Sequence, residues 1–226
     1  MMPEFIDFRI ISLIIGYAFG MIQTSYIVGR MSGIDIRDHG SKNAGFTNTN
    51  RVLGFKKGVI VFVIDVLKSM AAFAIVTIIY SDINAGGTFF STNYVTPGLY
   101  AGLGAILGHC FPFYLKFKGG KGVSSMIGLI IMLDLRVIIV ALIIGITTAA
   151  VTRFISLASM LTALSVAISM LVFSYPPEDV GLTAALCVFI WFLHRQNIKR
   201  LLSGTENKFS FKNKVNPPAD TVNLQK

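Results

Sequence analysis

Three short polar clusters interrupt an otherwise apolar chain, and each carries residue types suited to holding phosphate or an acceptor hydroxyl. In "KFKGGKGVSS", 116 to 125, Gly119, Gly120 and Gly122 surround Lys121. Glycines let backbone amides come close to an anion, lysine adds a point charge, and the apolar run that follows would contribute the positive end of a helix. An anion seat at the water-lipid boundary fits this stretch, although a simple basic membrane anchor would have the same composition. A Walker-type nucleotide loop does not fit, because Gly122 follows the Gly-Lys pair where Ser or Thr is needed and the four-residue spacing is missing. The second cluster, "GIDIRDHGSKNAGFTNTNRVLG", gathers Gly40, Ser41, Asn43, Thr47, Asn48, Asn50 and Arg51. Arg51 can grip phosphate through a forked pair of charged hydrogen bonds, while a polar loop held by Asx turns accounts for the amides equally well. The third, "HRQNIKRLLSGTE", puts His194 and Asn197 on one helix face at i and i+3, with Arg200 three residues further on.

The elements that must position these clusters are membrane spans. Of 226 residues, 54% are hydrophobic and 14% charged, a balance typical of integral membrane proteins. The net charge of +9 falls almost entirely between apolar runs, so it speaks for loop placement and against nucleic acid as a partner. Cys110 and Cys187 lie in apolar surroundings without partners at metal spacing, so they read as small buried hydrophobes. The opening "MMPEFIDFRI" lacks a basic start and a small-residue cleavage site, which leaves the first apolar run as a retained span.

Apolar segments run at about 8–29, 59–80, 96–114, 121–133, 136–151, 155–173 and 180–194. Read as one helix, residues 121–151 would extend about 46 Å, well beyond a hydrocarbon core of about 30 Å. "DLR" at 134–136 offers a charged break. Splitting there places every basic loop on one side: the 30–58 connection with six Lys and Arg, the 114–121 segment with Lys116, Lys118 and Lys121, and the chain after 194 with seven more. The connections "SDINAGGTFFSTN" and "SYPPED", which have none, fall on the other. The expected fold is an all-α, polytopic bundle of seven spans, with the amino terminus outside and the carboxyl terminus cytoplasmic. Six spans would export the basic tail. Residues 1–205 form the expected membrane domain, and 206–226 a polar, loosely ordered tail.

Within the second span Asp65 and Lys68 stand at i and i+3, where they can pair as a buried structural tie. Ser156 follows Arg153 at another cytoplasmic boundary, a weak signal by itself. No acidic cluster supports a metal-dependent transfer of a phosphoalcohol, so no metal is expected. A small transporter of a phosphorylated metabolite is the alternative reading, but alternating access requires a site near midplane and the polar residues cluster on one side. A scaffold binding anionic lipid is a further alternative.

Taken in order, "GSKNAGFTNTNRVLG", "DVLKS", "GHCFPFYLKFKGGKGV" and "HRQNIKRLLSGTE" resemble the bacterial acyl-phosphate:glycerol-3-phosphate acyltransferases of the PlsY type, from about residue 10 to 208. The resemblance implies transfer of a fatty acyl group from acyl phosphate to the 1-hydroxyl of sn-glycerol 3-phosphate. The products are lysophosphatidic acid and phosphate, made in phospholipid synthesis without a cofactor. It implies catalytic roles for Ser41, Arg51, His194 and Asn197. Gly40, Asn43 and Asn48 would shape the first element, and Gly119, Gly120, Lys121 and Gly122 would form the glycerol-phosphate seat. Ser156 would be a further polar contact, with Glu206, Asp65 and Lys68 as structural support. The setting implied is the bacterial cell membrane, with the active site at the cytoplasmic face and the acyl-phosphate-forming enzyme as a candidate partner. The family's first motif usually reads Gly-Ser-Gly-Asn, with Ala before Thr-Asn, where this chain has Lys42 and Phe46. Ser69 stands where Gly commonly follows the Asp-x-x-Lys pair. The reactive positions are kept, which argues against an inactive relative.

Overall fold

Long apolar runs without internal breakers can satisfy their backbone in hydrocarbon only as helices, and helices are what forms. The computed structural model describes residues 8–80 and 95–209. In order they are α1 Phe8–Gly20, α2 Thr24–Met31, α3 Phe46–Leu53, α4 Phe55–Tyr80, α5 Val95–Cys110, α6 Val123–Ile131, α7 Leu135–Thr152, α8 Ile155–Val172, α9 Pro177–Leu193 and α10 Arg195–Leu202. There is no strand among the described residues. The connection "SDINAGGTFFSTN" and the tail beyond 209 lie outside them.

Five stretches are long and apolar enough to cross a membrane: Phe8–Met31, α4, Val95–Leu115, α7 and α8. The pair α9 and α10, bent by 60°, makes a sixth if taken together. The expected fourth span is shorter than its apolar run. Its helix begins only at Val123, because 116–122 is folded into a turn, and its nine residues cover about 13 Å. The charged break expected after it is present. Asp134 caps α7, accepting from the Arg136 amide at 2.7 Å.

α1 packs on α5 almost backbone to backbone. A Cβ at Gly16 would lie 1.9 Å from Ala101 O, and one at Gly104 would lie 2.3 Å from Leu13 O, so only glycine permits this approach. The main apolar core joins α5, α6, α8 and α9 around Leu99, Met126, Leu129, Met170 and Ile190. At one end of the bundle Arg9 pairs with Glu178 at 2.7 Å, Tyr100 donates to the same carboxylate at 2.8 Å, and Tyr175 donates to Asp134 at 2.7 Å. All three polar clusters lie at the other end. α7 packs mainly on α8 and buries only Val137 and Ala141, which leaves an apolar trough between α6, α7 and α8.

Candidate active site

The first cluster folds around Asn48. This fully buried residue donates to Ile36 O and His39 O, both at 3.0 Å, and accepts from the Ser41 amide at 2.7 Å. Its polar atoms are thereby engaged with the chain, so Asn48 shapes the loop while also lining the cavity beside it. Gly40 at φ 60° lies so close to Asn48 that a Cβ would meet its Oδ1 at 2.3 Å. Lys42 also stands at φ 60°, the left-handed region that glycine occupies freely and other residues enter at a cost of about 1 kcal/mol. Ser41, Lys42 and Asn43 line a cavity, and Arg51, one turn beyond Asn48 on α3, lines it too. Among the described residues Arg51 has neither a carboxylate nor a hydrogen-bond partner, so its guanidinium is available to an anion. Phe46 packs edge-on against Phe62 at 5.6 Å and stacks near Phe209 at 6.1 Å, forming an aromatic rim.

The glycine turn differs from expectation in one respect. The amides of Gly119 and Gly120 do not face the cavity; they donate to Cys110 O and His109 O at 3.1 and 3.0 Å. They serve the last carbonyls of α5, which have no partner within their own helix. Both glycines are needed for proximity: a Cβ at Gly119 would sit 2.1 Å from His109 O, and one at Gly120 would sit 2.0 Å from His109 Nε2. Gly122, at φ 77°, then turns the chain into α6, and Lys121, Gly122, Val123 and Ser124 border the cavity. Only this half of the turn, with the amino terminus of α6, presents positive potential to a ligand.

The third cluster orients Lys121. Its Nζ donates to Asn197 Oδ1; Asn197 Nδ2 in turn donates to Glu206 Oε1 at 2.6 Å. Ser156 Oγ reaches the same oxygen at 2.8 Å, and Arg200 Nε holds Oε2 at 2.7 Å. Burial alone would raise the Glu206 carboxyl, but the donors Asn197, Arg200 and Ser156 outweigh it and hold it below the ordinary glutamate value. Burial, with Arg200 nearby, brings the Lys121 ammonium down to about 8. His194, almost fully buried, donates from Nδ1 to Ile190 O at 2.8 Å. A carbonyl only accepts, so in the neutral ring the remaining nitrogen, Nε2, is a hydrogen-bond acceptor.

Residues 206–209, assigned to the tail on composition, belong to this assembly. Glu206 is its anchor, and the Phe209 amide donates to Arg153 O at 2.8 Å. Asp65 and Lys68 pair as expected, at 2.8 Å, and both are buried. Ser69 is accommodated against Gly128, where a Cβ would come within 3.1 Å of its own. Arg200, placed by its i+3 spacing on the same face as Asn197, lines the cavity as well. One residue of consequence was not singled out by type and spacing. His109, inside "GHCFP", reaches the cavity wall from the end of α5, and nothing in its local pattern announces that.

Together these groups form one cavity of about 670 Å³. Its polar head holds Ser41, Arg51, Lys121, His194, Asn197 and Arg200. Its apolar arm runs along Ile130, Ile138, Ala141, Leu142, Gly145 and Thr162. A phosphorylated headgroup and a hydrocarbon chain can share such a space. No group of three metal-ligating side chains occurs among the described residues. The polar groups gather at one end of the bundle, away from the midplane position that alternating access requires.

A family model described as glycerol-3-phosphate acyltransferase matches residues 10–204. The chain is 41% identical over 204 residues to glycerol-3-phosphate acyltransferase 2 of Bacillus anthracis, covering 88% of this chain and 98% of that protein. It is 40% identical to the glycerol-3-phosphate acyltransferase of Halalkalibacterium halodurans, covering 88% and 95%. Among solved structures it is similar to the integral membrane acyltransferase PlsY in its glycerol 3-phosphate form, with a TM-score of 0.79 at 30% identity over 89% of this chain and 96% of that one. The lysophosphatidic acid form of the same enzyme gives a TM-score of 0.76. A match over residues 10–204, with relatives at 40% and 41% identity, identifies this chain as a member of the glycerol-3-phosphate acyltransferase family of integral membrane proteins.

Proposed function

We propose that the protein transfers a fatty acyl group from acyl phosphate to the 1-hydroxyl of sn-glycerol 3-phosphate, releasing lysophosphatidic acid and inorganic phosphate. The observation that carries this reading is the two-part cavity, whose cationic head and apolar arm match an amphiphilic anionic donor beside a small anionic acceptor. The solved relative's glycerol 3-phosphate and lysophosphatidic acid forms agree with an acceptor and product of this kind.

Lys121, Arg51 and Arg200 neutralise the two phosphate groups, and the amino terminus of α6 adds to their field. Holding acceptor and donor together makes the attack effectively unimolecular. The acceptor oxygen bonds to the carbonyl carbon, the bond from that carbon to the phosphate oxygen breaks, and the hydroxyl proton goes to a phosphate oxygen. The leaving group departs as hydrogen phosphate. His194 Nε2 accepts a hydrogen bond from the acceptor's neighbouring 2-hydroxyl and so aims the attacking one, whose own proton stays free for the phosphate oxygen, while Asn197 steadies Lys121. Ser41 contributes a hydroxyl to the polar head. It has no His or Asp partner in its loop to activate it as a nucleophile, so direct transfer is the route proposed.

The chain passes seven times between the two ends of the bundle in this reading, with the basic end cytoplasmic and the amino terminus outside. The Tyr175–Asp134 bond supports it, since it ties the α6–α7 turn to the end opposite the cavity, making α6 a short crossing. The surroundings are the plasma membrane of a bacterium. The enzyme that forms acyl phosphate is the partner expected to deliver the donor. The test offers palmitoyl phosphate, palmitoyl-CoA and palmitoyl-acyl carrier protein in turn to the purified protein in liposomes with glycerol 3-phosphate. Lysophosphatidic acid should form from the first alone; formation only from either thioester would overturn the choice of donor.

A further inference from the structure

A buried polar cluster that the transfer does not use directly lies behind the glycine turn. Asp65, Lys68 and His109 are 0%, 4% and 3% exposed, although any one of them would be costly to bury alone. Lys68 Nζ lies 2.7 Å from Ile22 O, 2.8 Å from Asp65 Oδ1 and 3.0 Å from His109 Nδ1, so its three protons meet three acceptors. Thr24 Oγ1 also donates to Asp65 Oδ1, at 3.1 Å. An ammonium offers only protons, so His109 Nδ1 accepts and its own proton sits on Nε2. That nitrogen points at Gly120, where a Cβ would lie only 2.0 Å away. Ala44 O, from the first loop, lies 2.5 Å from the same position. The His109 carbonyl takes the Gly120 amide at 3.0 Å and Gln23 Nε2 at 2.8 Å. The turn is therefore clamped at Gly120 by both the ring and the backbone of one residue, directly before Lys121.

We infer that His109, held by Lys68 and Asp65, is a positioning residue for the phosphate-bearing acceptor. Its imidazole packs on the face of Gly120 that the first loop also meets, and thereby sets where Lys121 and the start of α6 stand relative to the cavity. The inference rests on the proposed role of that turn as the glycerol 3-phosphate seat. It makes His109 act on the affinity for one substrate, through the turn, without contact with the reacting atoms.

The test uses the full-length protein in lipid nanodiscs and the variants His109→Asn and His109→Gln. Asparagine places its amide near Nδ1 and leaves the space beneath Gly120 empty, whereas glutamine reaches the Nε2 position. His109→Asn should raise the KM for glycerol 3-phosphate about tenfold, and His109→Gln about threefold, with kcat and the KM for palmitoyl phosphate within about twofold of the parent. Should the Asn variant lack the parent's helix content, the Gln variant decides by the same split. Equal effects on both substrates, or an unchanged KM for glycerol 3-phosphate, would overturn the inference. Hydrogen–deuterium exchange of the 117–124 amides reads the turn without turnover, and it should quicken in both variants, more in Asn. Unchanged exchange would also overturn it. An inactive parent would instead sink the proposed reaction, with the exchange rates still deciding whether His109 holds the turn.

Discussion

Lys121 and Asn197, far apart in the chain, are joined by a hydrogen bond from the lysine ammonium to the amide oxygen. This contact closes a path from the glycine turn through α10 to Glu206 and Ser156 at the start of α8. It explains how a flexible lysine can be held in place at the lip of an otherwise apolar trough.

Glu206 is the acceptor on which that path ends, so Glu206→Gln should loosen the whole assembly. The amide cannot receive Ser156, Asn197 and Arg200 together, and the variant should lose about 2 kcal/mol of stability. Because the folded carboxyl lies below its ordinary value of 4.5, its contribution is present above that pH and fades as the pH falls through the lower folded value. Thermal unfolding of both proteins across pH 3 to 7 checks this; the gap between them should shrink toward the acid end.

Lys121, at about 8 instead of 10.5, binds a phosphate only while protonated. Folding disfavours the charged form, so this group weakens the fold below pH 8 and ceases to do so as the pH rises toward 10.5. For the acceptor the sign is opposite: kcat/KM for glycerol 3-phosphate should fall above about pH 8, up to tenfold per unit. A pH series with Lys121→Arg, whose guanidinium stays charged, should show the decline abolished even if the absolute rate is lower.

Removing Asp65 strands the Lys68 ammonium among α2, α4 and α5. Asp65→Ala should destabilise the protein by about 3 kcal/mol or more, and Asp65→Ala with Lys68→Met should recover much of that loss. Unfolding midpoints of the two variants in detergent measure the difference.

Gly145 borders the apolar arm midway along it where α7 touches α8, a Cβ there lying 2.6 Å from Thr162 Oγ1. The α7 positions lining this arm run from Ile138 to Ala149, about 16 Å of helix. A leucine at 145 should block its far half. The ratio of turnover with palmitoyl phosphate to that with octanoyl phosphate should drop about tenfold in Gly145→Leu, a ratio insensitive to how much protein folds.

The site was legible where chemistry is carried by residue type: Ser41, Arg51, Lys121, His194 and Asn197 line one cavity, as three separately readable clusters suggested. The break before α7 was legible too, because Asp134 is a capping residue beside a basic one. What escaped depends on neighbours distant in sequence. Nothing local tells that the amides of Gly119 and Gly120 would turn back to the end of α5, or that this would shorten α6. The role of His109 depends on Lys68 and Gly120, which come from two other segments. Composition also placed the tail boundary before Glu206, since a polar stretch looks the same whether it is solvated or anchored by three donors.

The central claim is that both anionic reactants are held together and the acyl group passes directly between them. Rapid-quench measurement of phosphate release from palmitoyl phosphate tests this most directly, with and without glycerol 3-phosphate. The account predicts no burst from donor and protein alone, then phosphate and lysophosphatidic acid in equal amounts once the acceptor is added. A stoichiometric burst of phosphate without acceptor, leaving an acyl group on Ser41, would contradict it.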